Sequence, residues 1–303
     1  MKKLLDLGSD ELINEIKESF LQEEIYYYFK RNNTIKNIRN YHVLYNACKR
    51  AGIEFLYFNE INNEIHFRTP DGLHVFTNPY FGVFLEIFCD GQYACVKEFI
   101  EKDFIVLDVG ANRGYSSLYF ASEEKCKHVF SFEPVKGTYS ILEKNISLNP
   151  VPGKKINAFN FGLGRRNETQ TFKTHKEYDA ICSSSISFIN SFLNEQRKSE
   201  LVDEEVQIRK AGEVVNEVLL SSGEFQKYQR FLKIDIEGAE YELLEELKES
   251  NTLKDFSIIV GECHMGMERI LSTVKDDFSL AFLSTIPMNG LFCFVLKNNN
   301  NCQ

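Results

Sequence analysis

From residue 104 onward, short and nearly continuous apolar runs alternate with amphipathic stretches. "FIVLDVG", "HVFSFEP", "INAFNFGLG", "RFLKIDIEG", "FSIIVGECH" and "GLFCFVLK" read as strands buried on both faces. "SSLYFASE", "TYSILEKNISLN" and "YELLEELKES" between them carry helical periodicity. Strands separated by helices predict a parallel sheet covered on both sides, an α/β architecture. The first hundred residues are patterned differently. Leu12, Ile13, Ile16, Phe20 and Ile25 recur at helical spacing behind Ser9, a residue suited to an N-cap. They predict a helix over 9–39 with "IYYYF" as a packing face, and a second helix over 41–51 stopped by Gly52. "EFLYF", "EIHFRT" and "LHVFTN" are separated by "NEINN" and "PDG", so hairpins follow. "FLEIFCDGQYACVKEFIEK" then returns to helix. The expected organisation is a helix-and-hairpin extension over 1–100, serving as a cap or an oligomerisation element, followed by an α/β domain over 101–303. No internal repeat is visible, and the tail "KNNNNCQ" is expected to fray.

Composition narrows the partners. Hydrophobic residues make up 43% and charged residues 26%, enough apolar material for a globular core. The formal net charge of -9 offers no broad attraction to phosphate backbones, which argues against nucleic acid. Eight cysteines are scattered without a C-x-x-C pair, as expected of reduced packing thiols rather than of disulfides or a zinc site. "MKKLLDLGSDELINEI" meets acids before an apolar region develops, so no signal peptide or membrane span is expected, and the cytoplasm is the expected location.

The candidate chemistry begins at "VLDVGANRGYSSLYFA", Val106–Ala121. An apolar strand carrying Asp108 ends in Gly110 and Gly114 and passes directly into a helix, so a ligand approaches the backbone there. A dinucleotide loop reads G-x-G-x-x-G, whereas Asn112 occupies the middle position here and crowds a pyrophosphate. A smaller amino-acid carboxylate is not excluded. Glu133, nineteen residues after Gly114, ends the next strand and is placed to accept ribose hydroxyls. An adenosine carrying a small zwitterion fits these features, and S-adenosylmethionine answers that description better than a nicotinamide dinucleotide.

"DVGANRGYSS", "FEP", "GLG" and above all "KIDIEGAEYELLEEL" resemble the FkbM-type family of S-adenosylmethionine-dependent methyltransferases. The resemblance covers roughly residues 83–296; residues 1–80 match nothing placed. It implies the class I methyltransferase fold, a Rossmann-like, seven-stranded, mostly parallel sheet with helices on both faces and the last strand antiparallel. It further implies that Gly110, Ala111, Asn112 and Gly114 line the methionine part of the cofactor, with Asp108 near its amino group. Glu133 and Pro134 would meet the ribose, and Gly162 and Leu163 the adenine. Tyr93 precedes the first strand where family members often have a cofactor-facing tyrosine; a core position is the equal alternative.

Methyl transfer needs alignment and a destination for the acceptor's proton. Asp235 and Glu237 in "KIDIEG" and Glu262 and His264 in "VGECHMG" are the candidates, each pair placed on one side by strand alternation. Three readings are open. Asp235 or His264 acts as a general base, with Glu237 beside them; or the four residues hold a divalent cation; or they are architectural, with Glu237 capping the following helix. The base reading is favoured over the metal. Lys233 is expected to neutralise a neighbouring acid, Arg165 and Arg166 to be solvated, and the serines of "ICSSSIS" to start a helix or touch ligand. "DIEG" cannot form the D/N-P-P-Y/F turn typical of amino-methylating enzymes. The resemblance therefore implies O-methylation of a carbohydrate or nucleotide-linked sugar for polysaccharide biosynthesis, with a secondary-metabolite acceptor or an inactive binding or oligomerisation module as alternatives.

Overall fold

The computed structural model describes residues 35–301 apart from 60, 63, 79, 80, 176–199, 222, 265 and 286–291. The expected helix over 9–39 lies mostly outside these residues, as do the serines of "ICSSSIS". The chain divides into two compact units, Met1–Gly91 and Gln92–Gln303.

The described part of the first unit opens with α1 (Ile35–Ala51), a single helix running through the break expected between residues 39 and 41. No proline or glycine interrupts "IKNIRNYHVLYNACKRA", so nothing forces a stop there. Gly52, at φ 68°, turns the chain out of the helix. The hairpins follow as expected: β1 (Glu54–Asn59), β2 (Glu64–Arg68) and β3 (His74–Thr77) form an antiparallel meander in the order β1-β2-β3. Its aromatics divide between core and surface, Tyr57 being exposed. Phe67 and Phe76 are buried, and Phe67 stacks on Phe84 in α2 (Gly82–Phe84), which continues as a π-helical turn over Leu85–Cys89.

The second unit begins with a 3-10 turn, Ala94–Phe99, and is built on a seven-stranded sheet. In chain order its strands are β4 (Phe104–Val109), β5 (Cys126–Phe132), β6 (Ile156–Phe159), β10 (Gln229–Ile234), β11 (Ile258–Cys263), β12 (Phe278–Thr285) and β13 (Phe292–Asn298). They lie side by side as β12-β13-β11-β10-β4-β5-β6. The pairs β10–β4, β4–β5, β5–β6 and β10–β11 are parallel. β13 runs antiparallel to both β11 and β12. Every residue of β4 and of β11 is buried, as their nearly continuous apolar runs require.

Between these strands run α3 (Tyr115–Ser122), α4 (Lys136–Ser147), α5 (Ala211–Val215), α6 (Glu240–Glu249) and α7 (Met267–Val274). Leu243, Leu244 and Leu247 of α6 recur at helical spacing and close over Leu232, Ile234 and Ile259 of the sheet. This is the fold class expected, with one refinement. "INAFNFGLG" is two strands: after β6 the chain bends, and β7 (Gly162–Gly164) joins a separate sheet of order β7-β9-β8 with β8 (Glu168–His175) and β9 (Leu201–Lys210). β12 is absent from the strands read in the sequence; seven of its eight residues are exposed, so it lacks a buried strand's apolar signature. Among the described residues, no helix is long and apolar enough to cross a membrane, and six cysteines are free.

Candidate active site

β4 sits between β5 on one side and β10 on the other, so the strand order reverses there: β5 and β6 extend the sheet one way and β10 and β11 the other. In open parallel sheets that switch point, at the carboxyl ends of the strands, is where ligands bind. The loop after β4 is a tight cradle. Gly110, Asn112 and Gly114 all take left-handed backbone conformations, at φ 78°, 49° and 79°. A Cβ on Gly110 would lie 1.9 Å from the Asp235 carbonyl oxygen, so this position needs glycine for close packing as well as for its φ. Asn112 tolerates its conformation because its Oδ1 accepts from the Arg113 N–H at 2.8 Å. Gly110 and Ala111 both donate to the Phe132 carbonyl, which fixes the loop to the end of β5.

Glu133 follows β5 and faces this loop. Its Oε2 accepts from the Asn112 N–H at 3.0 Å and its Oε1 from the Val135 N–H at 2.9 Å. A carboxylate offers about four lone-pair sites, so two amide bonds orient it while leaving capacity for hydroxyl donors. Asn160 Nδ2 donates to the Glu133 and Pro134 carbonyls and steadies the turn. Gly162 lies against Pro134: a Cβ there would meet the Pro134 ring at 3.4 Å and Ile208 at 2.7 Å. Leu163 is buried in the main core.

Asp108 differs from the expectation that it meets a cofactor amino group. It is fully buried, and its Oδ2 accepts from Ser116 Oγ at 2.7 Å and Ser117 Oγ at 2.6 Å. Its Oδ1 lies 3.1 Å from Lys233 Nζ. Strand alternation turns this side chain under the loop, where its partners are protein groups. Lys233, itself buried, donates to the Gly110 carbonyl at 2.6 Å and lies 3.9 Å from Asp235 Oδ2. Burial works against its charge, but Asp108, Asp235 and Glu262 outweigh burial and hold its pKa above the usual lysine value. The expected role of Lys233 in neutralising an acid is therefore met by Asp108, and it also clamps the loop.

The acid residues of the next two strand ends meet, though not by alternation. β10 ends at Ile234, and Asp235 and Glu237 lie in the following turn, Glu237 at φ 55°. Glu262 is the penultimate residue of β11 and His264 follows the strand. His264 Nδ1 is 2.7 Å from Glu240 Oε1, and both side chains are almost wholly buried. Its Nε2 faces three carboxylates: Glu237 Oε2 at 3.4 Å, Glu262 Oε2 at 3.6 Å and Asp235 Oδ1 at 3.9 Å. Burial pulls the imidazole pKa down, yet the Glu240 hydrogen bond and the charges of Glu237, Glu240 and Asp235 push it up to about 10. Glu237 is driven well above the usual carboxylate range, first by burial and then by Asp235, Glu262 and Glu240, with His264 opposing.

Glu240, rather than Glu237, supports the start of α6: its Oε1 accepts from the Gly238 N–H at 3.0 Å. Tyr93 is buried beside this group, packed 5.6 Å from the Phe120 ring centroid. Burial first, then Asp235 and Glu262, raise its phenol pKa. Gln92 Nε2 donates to Glu262 Oε1 and lies 3.5 Å from the Tyr93 hydroxyl. Arg165 pairs with Glu245 and Glu249, and Arg166 with Glu168, all on exposed surface. Gln92 and Glu240 are missing from the sequence expectations. Glu240 carried a readable signal, an acid in the first turn of a helix; Gln92 carried none, because its partner lies 170 positions away.

Residues 108–283 match the model of the methyltransferase FkbM domain. "Methyltransferase 1" of Beauveria bassiana is 28% identical over 187 residues, covering 59% of this chain and 71% of that protein. The AMB antimetabolite synthetase AmbE of Pseudomonas aeruginosa is 26% identical over 204 residues, covering 59% of this chain and 9% of the synthetase. Among solved structures, methyltransferase FkbM from Methylobacillus flagellatus is similar at a TM-score of 0.41 and 14% identity, over 64% of this chain and 43% of that one. The family match spans more than half of the chain and takes in the glycine loop, Glu133, the Asp235–Glu237 turn and His264, so this protein belongs to the FkbM family of methyltransferases.

Proposed function

We propose that this methyltransferase uses S-adenosylmethionine to methylate a hydroxyl oxygen of a carbohydrate or nucleotide-linked sugar, in the synthesis of a polysaccharide. The observation that carries the reading is the gathering of Asp235, Glu237, Glu262 and His264 beside the Gly110–Gly114 loop. The loop residues suit the cofactor: the left-handed turns leave the backbone open to close approach, and the amide-anchored Glu133 keeps capacity for ribose hydroxyls. When bound, S-adenosylmethionine supplies a methyl group on a positively charged sulfur. Gly110, Ala111, Asn112 and Gly114 would hold its methionine part, Glu133 and Pro134 its ribose, and Gly162 and Leu163 would border its base. Asp108 supports the loop from beneath through Lys233, Ser116 and Ser117.

Asp235, Glu237 and His264 form the acceptor side. A hydroxyl placed among them would give up its proton toward Asp235, with Glu237 and His264 holding it in place, while the bound cofactor would supply the methyl group. Gln92 holds Glu262 in position and lies against the Tyr93 hydroxyl. The acidic chain and the "DIEG" turn support a small acceptor over a nucleic acid. A second reading, a small secondary-metabolite acceptor, draws support from the similarity to an antimetabolite synthetase. Incubation with methyl-labelled cofactor and a panel of nucleotide-linked sugars and phenols separates the two. Label in a sugar is expected; label confined to phenols or other non-sugar hydroxyls would reject the carbohydrate assignment.

A further inference from the structure

We propose that Asp235, Glu237 and His264 bind a divalent cation, with Glu262 closing its fourth side, and that this cation holds the acceptor's oxygens. The inference rests on the proposed methyl transfer for its purpose but on side-chain geometry for its existence. One ligand atom from each of Asp235, Glu237 and His264 falls within 4.8 Å of the others. Among the described residues they form the single group of this kind. Ligands about 2.1 Å from a shared ion stand roughly 3 to 3.5 Å apart, depending on coordination number. The carboxylate oxygens lie 3.4, 3.6 and 3.9 Å from His264 Nε2, close to that spacing and longer than a charge-assisted hydrogen bond.

The imidazole is the second, independent observation. A patch of surface carboxylates binds nothing in particular, but His264 is buried, with 2% of its side chain exposed, and has a fixed orientation. Its Nδ1 is held by Glu240 Oε1 at 2.7 Å. That contact turns Nε2 toward the carboxylates, where a bound cation would take the place of the Nε2 proton. A carboxylate–histidine pair of this kind is the outer-shell arrangement that metal-ligating histidines adopt. Glu240 is in turn anchored by the Gly238 N–H, so the chain of support reaches the start of α6. Charge argues in the same direction. Asp108, Asp235, Glu237, Glu240 and Glu262 are brought together around Lys233 and His264, and Lys233 is committed to Asp108 and the Gly110 carbonyl. A dication among the remaining four acids offsets their mutual repulsion.

The ligand set, one imidazole and several carboxylates without thiolate, selects Mg²⁺, Mn²⁺, Fe²⁺ or Co²⁺ over thiophilic ions. Two oxygens on one cation define the acceptor as one that presents neighbouring hydroxyls or a hydroxyl beside a carbonyl. Cys293 lies near this region, paired with Glu262 across β11 and β13 and with its Sγ 3.6 Å from the Gln92 carbonyl oxygen, so the test must separate oxygen and nitrogen ligation from sulfur.

The test uses the full chain, stripped with chelator and titrated with Mn²⁺ followed by electron paramagnetic resonance and calorimetry, and with Co²⁺ followed by visible absorption. One Mn²⁺ site and weak Co²⁺ ligand-field bands without a sulfur charge-transfer band are expected. Asp235→Asn combined with His264→Gln is expected to abolish the site, and Glu240→Gln to weaken it about 10- to 100-fold. S-adenosylhomocysteine thermal shift is measured in parallel. A thermal shift with no binding of Mn²⁺, Co²⁺ or Mg²⁺ to the native chain would overturn the cation site and leave methyl transfer standing. Metal binding without a thermal shift would support the site and reject the cofactor instead. A strong sulfur-to-cobalt band, or Mn²⁺ binding undiminished in the double variant, places the ion elsewhere and refutes the assignment.

Discussion

Lys233 shows what a single side chain can do when both of its partners are buried. It holds Asp108 and the Gly110 carbonyl together with almost no solvent contact, so its removal leaves a carboxylate uncompensated in the core. Lys233→Met is expected to cost about 3 to 5 kcal/mol in urea unfolding, and Lys233→Met with Asp108→Asn less than the sum of the two single changes. Gly110 is constrained twice, by its left-handed backbone and by the Asp235 carbonyl. Gly110→Ala is expected to lose at least about 1 to 3 kcal/mol and to abolish the thermal shift given by S-adenosylhomocysteine. A variant that keeps both stability and shift would show that the loop after β4 does not form the cofactor cradle. At this scale the lysine's partnership with an acid was legible in "KIDIEG". Its choice of Asp108, 125 positions away in numbering and one strand over, was not.

Elements place these residues and carry their own consequences. β5 brings His128 against Phe130, with ring centroids 4.3 Å apart, and against Phe225 at 5.4 Å. Burial holds the His128 pKa below the ordinary value of 6.5. The unfolded chain therefore takes up a proton more readily than the folded one. This contribution to stability is complete above the unfolded pKa and is lost as pH falls through about 6.5 and below. Urea midpoints compared between about pH 7.5 and pH 5 should fall, and His128→Gln should flatten the slope; an unchanged slope would assign the acid sensitivity to other groups. The turn after β10 is the clearest failure of pattern reading. Alternation was expected to put Asp235 and Glu237 on one side of a strand, but the strand ends at Ile234 and the left-handed Glu237 redirects the chain. The two carboxylates still converge on His264, because a turn and an adjacent strand end, rather than a pleat, bring them there.

The whole molecule divides at Gly91, where the sequence reading placed the change near residue 100. The main hydrophobic cluster is drawn from Ile105 to Leu296, and the site contacts from Gln92 to His264, all within the second unit. A chain of residues 92–303 is therefore expected to unfold cooperatively and to keep the S-adenosylhomocysteine thermal shift; loss of both would assign the first unit a part in building the fold. Exposed Leu280, Phe282 and Leu283 lie on β12, the edge of the large sheet. Nothing in the alternation of apolar runs reports such an edge, since an edge strand lacks the continuous burial that makes β4 and β11 readable.

What the sequence by itself determined is local. Apolar runs long enough for buried strands, glycines where the backbone must turn left-handed, and an acid closing the second strand are each specified within a few residues, by sterics and hydrophobic period. The family resemblance rested on the same short stretches. The tertiary structure decided which charges meet: Lys233 with Asp108, Gln92 with Glu262, and His264 with Glu240 on one nitrogen and three carboxylates around the other. Those meetings depend on strand order and on where each strand ends, which arise from packing the whole sheet and are written in no single segment.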